Sequence, residues 1–278
     1  MPITIKTPEE IALIREGGRL LAGILQKLSD AARPGISTIE LDATAERLIR
    51  EAGGEPAFKG YRAKGSRVVF PSTICTSIND EAVHGIPGPD RILRDGDIVG
   101  IDIGMRWPIG ENSKLRKALY TDMAVTVGIG HISPEAKQLL RVTAEALEIG
   151  IRAVRPGGYI GDIGHAVEKH LKKYHYGIIR NLAGHGVGYE LHEEPLIPNY
   201  GSPGTGAELK PGLVIAIEPM ATMGDHRVRL DRDGWTFRTV DHSLAAHFEK
   251  TVAVTNDGVE VLTPFLETDR RYIFSSRN

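Results

Sequence analysis

Apolar residues near the start of the chain recur at the spacing of an amphipathic helix. Thr7 precedes this repeat as a good N-cap, with Pro8 at the first helical position and Glu10 at capping-box spacing. The pattern therefore predicts a helix that begins directly after Thr7 and buries one apolar face. The residues expected on that face are Ile11, Ile14, Leu21, Leu25 and Leu28.

The same succession of elements occurs a second time along the chain. Ser133, Pro134 and Glu135 repeat the first helix start, and the Arg-Pro-Gly at 33–35 returns at 155–157. In each half a second helix leads through glycine-rich turns into strands. Each half thus has the order helix, helix, strand, strand. The second helices are expected over about 38–52 and about 161–173.

Two pairs of strand sequences also match between the halves, and each pair carries a carboxylate at the same place. The apolar run at 93–102 ends on Asp102, and its counterpart at 209–218 ends on Glu218. A second pair begins on Asp122 in one half and on Glu249 in the other. This duplication predicts an α+β fold with approximate two-fold symmetry, in which helices pack outside a shared antiparallel sheet. The alternative is that the matches are accidental.

The carboxylates of Asp102 and Glu218 lie within runs that are apolar enough to form buried central strands. Neither run contains a lysine or an arginine. A buried, ionised carboxylate costs several kcal/mol unless it is paired or bound to a metal. A cation is therefore expected there, and a salt bridge from a distant arginine is the alternative.

Strand alternation extends this expectation to the second pair of acids. Alternate residues share a face, so Asp122 and Glu249 each head a face of small or polar residues, which is typical of a lined cavity. Four carboxylates in one cavity repel each other, and two divalent cations would balance their charge. His185, between Gly184 and Gly186, is the candidate nitrogen ligand, and it favours manganese, iron, cobalt or zinc over magnesium and calcium.

The bulk composition narrows the setting in which this chemistry would operate. A hydrophobic content of 41% allows a substantial core, and 34 basic residues nearly balance 36 acidic ones. No charge excess points to nucleic acid or an anionic membrane as a partner, and no apolar run approaches a membrane span. The single cysteine, Cys75, excludes an intramolecular disulfide. A soluble cytosolic protein is therefore expected.

The motifs that surround these residues resemble those of type I methionine aminopeptidases, a family with the so-called pita-bread fold. The resemblance extends from about residue 3 to 265 and implies one catalytic domain over 1–278, with halves at about 3–130 and 131–265. The motifs are His84-Gly85-Ile86-Pro87, the Asp102 strand, Gly184-His185-Gly186-Val187-Gly188, His192-Glu193-Glu194-Pro195, Ile217-Glu218-Pro219-Met220, Asp233-Gly234-Trp235-Thr236 and Phe248-Glu249-Lys250-Thr251.

The resemblance implies a ligand set for two divalent metal ions. Asp102 would chelate one ion, His185 with Glu218 the other, and Asp122 with Glu249 would bridge them. This assignment agrees with the carboxylates that burial and symmetry single out. Two such cations depress the pKa of water and make hydroxide available as a nucleophile near neutral pH.

Catalytic and substrate-binding roles also come from the resemblance. Glu218 would carry the proton from water to the leaving amine, His192 would donate to the scissile carbonyl oxygen, and His84 would contact the peptide backbone. The free α-amine would bind the metal beside Asp102. The methionine pocket would be formed by Tyr61, Phe70, Cys75 and Trp235.

Two segments are longer than the usual family pattern. They lie at 62–69, beside the expected pocket, and at about 105–120, which is expected to form an extended loop between two strands. The second segment is expected to be a loop rather than a new domain.

The expected substrate is the N-terminal methionine of peptides and nascent chains, and the protein is expected to be a monomer, with ribosome association left open. One alternative is an Xaa-Pro peptidase of the same fold, although the chain starts directly with the Thr7 helix and lacks the extra N-terminal domain of those enzymes. The other alternative is a non-catalytic binding module, although all five ligand positions are filled.

Overall fold

The structure, a computed structural model, describes residues 2–63, 68–109 and 117–269 of the 278-residue chain. None of the described helices has the length and apolar character that crossing a membrane would require. The helices are α1 (Pro8–Ala31), α2 (Thr38–Glu51), α3 (Pro134–Ala153) and α4 (Ile160–Lys172). The strands are β1 (Glu55–Pro56), β2 (Ile74–Ile78), β3 (Glu81–Val83), β4 (Ile98–Trp107), β5 (Leu119–Gly128), β6 (Gly177–Ile178), β7 (Gly184–Gly186), β8 (Glu193–Ile197), β9 (Val214–Ile217), β10 (Met220–Thr222), β11 (Val228–Leu230), β12 (Phe237–Thr239), β13 (Ala245–His247), β14 (Glu249–Thr255) and β15 (Gly258–Val261).

The first helix of each half begins where the sequence predicts. The Thr7 hydroxyl accepts a hydrogen bond from the Glu10 amide, and the Glu10 carboxylate accepts one from the Thr7 amide. Ser133 caps α3 by accepting from the Ala136 amide. These bonds satisfy amide groups that the helix itself leaves without partners, which fixes both helix starts locally.

The main sheet of the described residues has nine antiparallel strands in the order β1-β4-β5-β14-β9-β7-β8, with β2 pairing β4 and β15 pairing β14. Strands β4 and β5 belong to the first half, and β9 and β14 belong to the second. The two halves meet where β5 pairs β14, so the equivalent strands lie side by side. The predicted α+β fold, with duplicated helix-helix-strand-strand halves around an antiparallel sheet, is confirmed. The prediction of one domain over 1–278 stays a prediction.

Alternation along the central strands separates a helix-covered face from a second face. Ile101 and Ile103 of β4 and Val125 of β5 point into the main apolar core, which includes Leu25 of α1 and Leu139 of α3. Residues at the intervening positions point the other way. That second face carries the carboxylates described below. The helices therefore pack on one face of the sheet, and the candidate functional site lies on the other.

The expected loop at 105–120 is shorter than the sequence predicts. Strand β4 continues to Trp107 and β5 begins at Leu119, and these two residues pair with each other. Leu119 is buried in a small apolar cluster against α1, and Trp107 packs beside it, so burial extends both strands into the expected loop. Residues 110–116, and 64–67 of the other long segment, lie outside the described residues.

Helix α1 approaches the end of the sheet closely at one glycine. A Cβ atom added to Gly18 would lie 2.3 Å from the backbone oxygen of Leu262, whereas one added to Gly23 on the same helix would meet nothing within 4 Å. We expect Gly18→Ala to destabilise the protein by about 1–3 kcal/mol, because overpacking against backbone outweighs the gain of about 1 kcal/mol in helix propensity.

Gly23→Ala is the matched control, and its thermal midpoint is expected to rise slightly, since only the propensity gain applies there. Thermal unfolding of both variants, followed by circular dichroism, measures the difference. Equal midpoints for Gly18→Ala and Gly23→Ala would mean that the contact with Leu262 is not a tight one.

Candidate metal centre

The register of the sheet brings three of the predicted ligands onto one face. Asp102 of β4 lies opposite Ala124 of β5, and Glu249 of β14 lies opposite the same alanine on its other side. Asp122 is two residues from Ala124 and opposite Gly104, so its side chain points to the same face as those of Asp102 and Glu249. The three carboxylates therefore lie in adjacent strands, within reach of one another.

Strands β9 and β7 supply the other two predicted ligands. Lys250 pairs with Ile217, so Glu218, the residue directly after β9, follows beside Glu249. His185 of β7 pairs with Ala216, which is two residues before Glu218 and therefore on the same face. The antiparallel register places all five predicted ligands on the side of the sheet that faces away from the helices.

The side-chain distances converge on the His185 ring. Its Nε2 atom lies 3.8 Å from an oxygen of Asp122, 3.8 Å from an oxygen of Glu218 and 3.9 Å from an oxygen of Glu249. Donor atoms of Asp122, His185 and Glu249 all lie within 4.8 Å of one another, and the three residues are buried. These separations are too long for hydrogen bonds and are what ligands around a shared ion require.

Several acidic oxygens at this position have no protein partner. Oδ1 of Asp102, Oδ1 of Asp122 and Oε1 of Glu249 are buried and accept no hydrogen bond. Within the described residues no lysine or arginine forms an ion pair with these three acids or with Glu218, so the alternative of an arginine salt bridge is not observed. Buried carboxylate oxygens of this kind are costly unless a cation binds them.

The electrostatics of the metal-free site follow from this crowding. Burial, together with the charge of Glu218, raises the pKa of Asp102 to about 7 against the opposing effect of His247. Burial and the neighbouring carboxylates raise the pKa of Asp122 and of Glu249 well above the ordinary range. The acids therefore retain protons at neutral pH unless positive charge replaces those protons.

The donor set fits divalent cations. Four carboxylates and one imidazole supply oxygen and nitrogen ligands that suit manganese, iron, cobalt and zinc. The unpartnered oxygens of Asp102, Asp122 and Glu249 and the separations around His185 leave these ligand atoms available. The structure thus carries a candidate metal centre made of the predicted residues.

An apolar cavity of about 210 Å³ adjoins the candidate metal centre. This volume is several times the roughly 30 Å³ that a water molecule occupies in the liquid, so the cavity has room for an organic side chain. The four residues predicted for the side-chain pocket all line it, together with Asp102, Asp122, His185, Glu218 and Glu249. Those four are Tyr61, Phe70, Cys75 and Trp235.

Aromatic contacts give this cavity its shape. Trp235 packs edge-on against Phe70, with ring centroids 5.3 Å apart, and Tyr61 packs at a tilt against Trp235 at 6.5 Å. Cys75 is buried in the same cluster, and burial raises the pKa of its thiol well above the ordinary value. A protonated, enclosed thiol behaves as a small apolar side chain, so nothing here suggests a nucleophilic cysteine.

His84 and His192 also line the cavity. His84 has a positive φ of 60°, and its ring packs edge-on against Trp235 and Phe237. Burial lowers the pKa of His84 to about 4, although Glu218 opposes the shift. Burial, His185 and His84 also lower the pKa of His192. Because part of the His192 ring faces solvent, only the direction of its shift matters, and both imidazoles are neutral at pH 7.

The small and polar faces of β5 and β14 line the cavity only at Asp122 and Glu249. Asp122 and Glu249 reach it, but Thr251 donates its hydroxyl hydrogen to the Asp122 carbonyl, and Ala253 packs with Leu262 in an apolar cluster. The prediction of a cavity along the whole face is therefore wrong. Small residues beyond the acids instead allow close packing and backbone hydrogen bonds.

The family model described as metallopeptidase family M24 matches residues 12–256 of this chain. The chain belongs to metallopeptidase family M24. This finding confirms the resemblance that the motifs carry.

Relatives within the M24 family match over nearly the whole chain. "Methionine aminopeptidase 1" of Bacillus subtilis (strain 168) is 44% identical over 261 residues, which cover 94% of this chain and 99% of that protein. The crystal structure of methionine aminopeptidase from Rickettsia prowazekii superposes with a TM-score of 0.87 at 38% identity, covering 95% of this chain and all of that one. The prolidase from Pyrococcus furiosus matches with a TM-score of 0.72 at 25% identity, and the match covers 66% of that chain.

Three further residues at this site were not identified from the sequence. Phe58 and Leu191 also line the cavity, and they come from separate segments whose apolar residues look like ordinary core. His247 is buried with its Nε2 atom 3.2 Å from Glu218. Burial opposes its charged form, but Glu218 and Asp102 outweigh burial and raise the pKa of His247. Its position two residues before Glu249 is the signal that could have identified it.

Proposed function

We propose that this protein is a methionine aminopeptidase that uses two divalent cations to hydrolyse the peptide bond after an N-terminal methionine. The observation that carries the proposal is that all five predicted ligands line one cavity together with aromatic rings. A cavity of about 210 Å³ beside these ligands has room for one side chain, which suits an enzyme that binds the end of a peptide. The names of the M24 relatives agree with this activity.

In this proposal the five predicted ligands divide between two ions. His185 and Glu218 would hold one ion, Asp102 would hold the other, and Asp122 and Glu249 would contribute to both. The distances from His185 Nε2 and the unpartnered oxygens of Asp102, Asp122 and Glu249 support cation binding by this group of side chains. The ions would be cobalt, manganese, iron or zinc, and when bound they would lower the pKa of water and make hydroxide available near neutral pH.

The side chains around the candidate metal centre would handle protons and orient the peptide. Glu218 accepts a proton from water and returns it to the leaving amine, and its position between His185 and His247 suits that exchange. His192 donates an N–H to the scissile carbonyl oxygen, and His84 contacts the peptide backbone. The lowered pKa values support both roles, because a neutral imidazole offers one N–H donor without a charge that must be desolvated.

The side-chain cavity would bind methionine. Tyr61, Phe70 and Trp235 present aromatic surfaces that suit a flexible thioether, and Cys75 adds a small apolar group to the lining. The substrate's free α-amine would lie beside Asp102, at the junction of the pocket and the carboxylates. This arrangement explains why a blocked N-terminus would not bind.

The wider setting of the activity also belongs to the proposal. The substrates would be peptides and nascent chains that begin with methionine. Association of the protein with the ribosome would bring it close to such nascent chains. The buried, free thiol of Cys75 fits a reducing compartment such as the cytosol. A monomer with one catalytic domain over 1–278 would suffice, since all the proposed ligands come from one chain.

Cleavage of short peptides tests this function. Purified protein, depleted of metal and reloaded with manganese, should release methionine from Met-Ala-Ser, and chelation of the metal should stop the reaction. N-acetyl-Met-Ala-Ser is the matched control, and it should remain intact because its amine is blocked. Faster cleavage of Ala-Pro peptides than of Met-Ala-Ser would support an Xaa-Pro peptidase instead. Binding of Met-Ala-Ser without release of methionine would support a binding module.

A further inference from the structure

The Tyr61 hydroxyl lies 2.6 Å from the Nδ1 atom of His192. The two rings are 5.0 Å apart between centroids and tilted by 60°, so the contact is made through the polar atoms rather than by stacking. On its other side the His192 ring meets His185, with centroids 4.3 Å apart and the rings nearly perpendicular. His192 Nε2 has no hydrogen-bond partner in the part of the chain that the structure describes, which leaves it available to a substrate.

The Tyr61 phenol can supply the hydrogen in this contact. Burial and the charge of Glu190 raise the pKa of Tyr61, so its phenol stays protonated and is a donor. Among the described residues the Tyr61 hydroxyl has no acceptor other than His192. A neutral imidazole has one donor and one acceptor nitrogen, so a hydrogen bond accepted at Nδ1 requires the hydrogen at Nε2.

We propose that Tyr61 is a positioning residue whose hydroxyl holds His192 as the Nε2–H tautomer, with that N–H directed to the scissile carbonyl oxygen. The inference rests on the proposed function for the identity of the reaction, but the tautomer itself is a property of this chain. Without the Tyr61 hydroxyl, His192 would distribute between two tautomers and two ring orientations. Only one of these combinations offers a donor at the carbonyl oxygen.

The backbone around Tyr61 fixes its hydroxyl in place. The Tyr61 amide donates to the Phe58 carbonyl at 2.8 Å, and the Phe70 amide donates to the Tyr61 carbonyl at 2.8 Å. The ring also packs against Trp235. Because the backbone on both sides of Tyr61 is held by hydrogen bonds, the Tyr61 hydroxyl loses little conformational entropy when it bonds to His192. Tyr61 can therefore fix the orientation of the more exposed His192 ring.

Nitrogen-15 NMR of zinc-loaded protein with labelled histidine tests the tautomer directly, since zinc is diamagnetic. His192→Gln identifies the His192 signals among those of the ten histidines. We expect wild-type protein to show His192 as Nε2–H and Tyr61→Phe to show a mixture of the two tautomers. A wild-type Nδ1–H tautomer, or the same tautomer in Tyr61→Phe, would overturn the inference.

Steady-state kinetics on Met-Ala-Ser with manganese-loaded protein test the consequence. Tyr61→Phe should lower kcat by roughly tenfold, the value of one net hydrogen bond, and leave KM within about twofold, because the aromatic ring of the pocket remains. Tyr120→Phe is the matched control, since Tyr120 borders the same aromatic cluster and makes no hydrogen bond to a histidine. It should retain wild-type kcat.

The double variant separates positioning from a general structural effect. If Tyr61 acts through His192, adding Tyr61→Phe to His192→Gln should change kcat by less than about twofold. A further tenfold loss in that background would overturn the inference. If wild-type protein fails to cleave Met-Ala-Ser, the proposed function fails, whereas the NMR result still decides whether Tyr61 sets the tautomer.

Discussion

Replacement of Glu249 by glutamine should remove almost all turnover while leaving the metal-free fold intact. Glu249 lies 3.9 Å from His185 Nε2 and has one buried oxygen without a hydrogen-bond partner. That oxygen is therefore available to a cation, and no protein hydrogen bond depends on it. Metal activation of water contributes several kcal/mol to catalysis, and we therefore expect kcat on Met-Ala-Ser to fall by roughly a thousandfold or more. The variant should also bind less manganese, as measured by elemental analysis after gel filtration.

The same substitution should not destabilise the metal-free protein. At pH 8 the metal-free folded protein must keep a proton on Glu249 or hold its charge beside the other acids, and glutamine removes both costs, so the thermal midpoint of metal-free Glu249→Gln should equal or exceed that of metal-free wild type. Asp257→Ala is the control, because it removes an exposed carboxylate at the turn after β14 and should leave activity unchanged. Full turnover and full metal content in Glu249→Gln would show that the cluster is not the catalytic centre.

Local chemistry made the helices and the central strands predictable. The caps at Thr7 and Ser133 depend only on residues that are close in the sequence, so they define where the two helices begin. The apolar repeat of α1 predicts which face of that helix packs on the sheet. The strand ends at Trp107 and Leu119 were not predictable in this way. Their pairing depends on a neighbouring strand and on α1, neither of which is visible in the spacing of the 105–120 segment.

The ligands of the candidate metal centre were predictable because they are exceptional where they stand. Asp102 and Glu218 are charged residues within apolar strand sequences, and physical cost alone singles them out. The cavity residues Phe58 and Leu191 have no such mark, because an apolar residue that lines a cavity has the same pattern as one in a core. His84 and His192 were identified through their motifs, since the apolar periodicity around them gives no reason to expect two neutral imidazoles at the site.

Metal-free protein should lose stability as the pH rises from about 6.5 to 8.5. Asp102, Asp122 and Glu249 have raised pKa values in the folded state, so the folded protein holds protons that the unfolded chain has released, and stability falls with rising pH. The raised pKa of His247 acts in the same direction. His84 has a lowered pKa and acts oppositely, but only below about pH 6.5, where the unfolded chain is protonated.

Divalent cations should reverse this trend, because they bind the deprotonated acids and replace the protons. Manganese at about 100 times its dissociation constant should raise the thermal midpoint by roughly 5–10 °C, and the gain from a fixed manganese concentration should be larger at pH 8.5 than at pH 6.5. Differential scanning fluorimetry with chelator or with manganese measures both effects, and Asp122→Asn should flatten the pH dependence of the metal-free midpoint. A metal-free midpoint that rises over this range would mean that the crowded carboxylates are already ionised and paired in some other way, and the argument for bound cations would then lose its electrostatic basis.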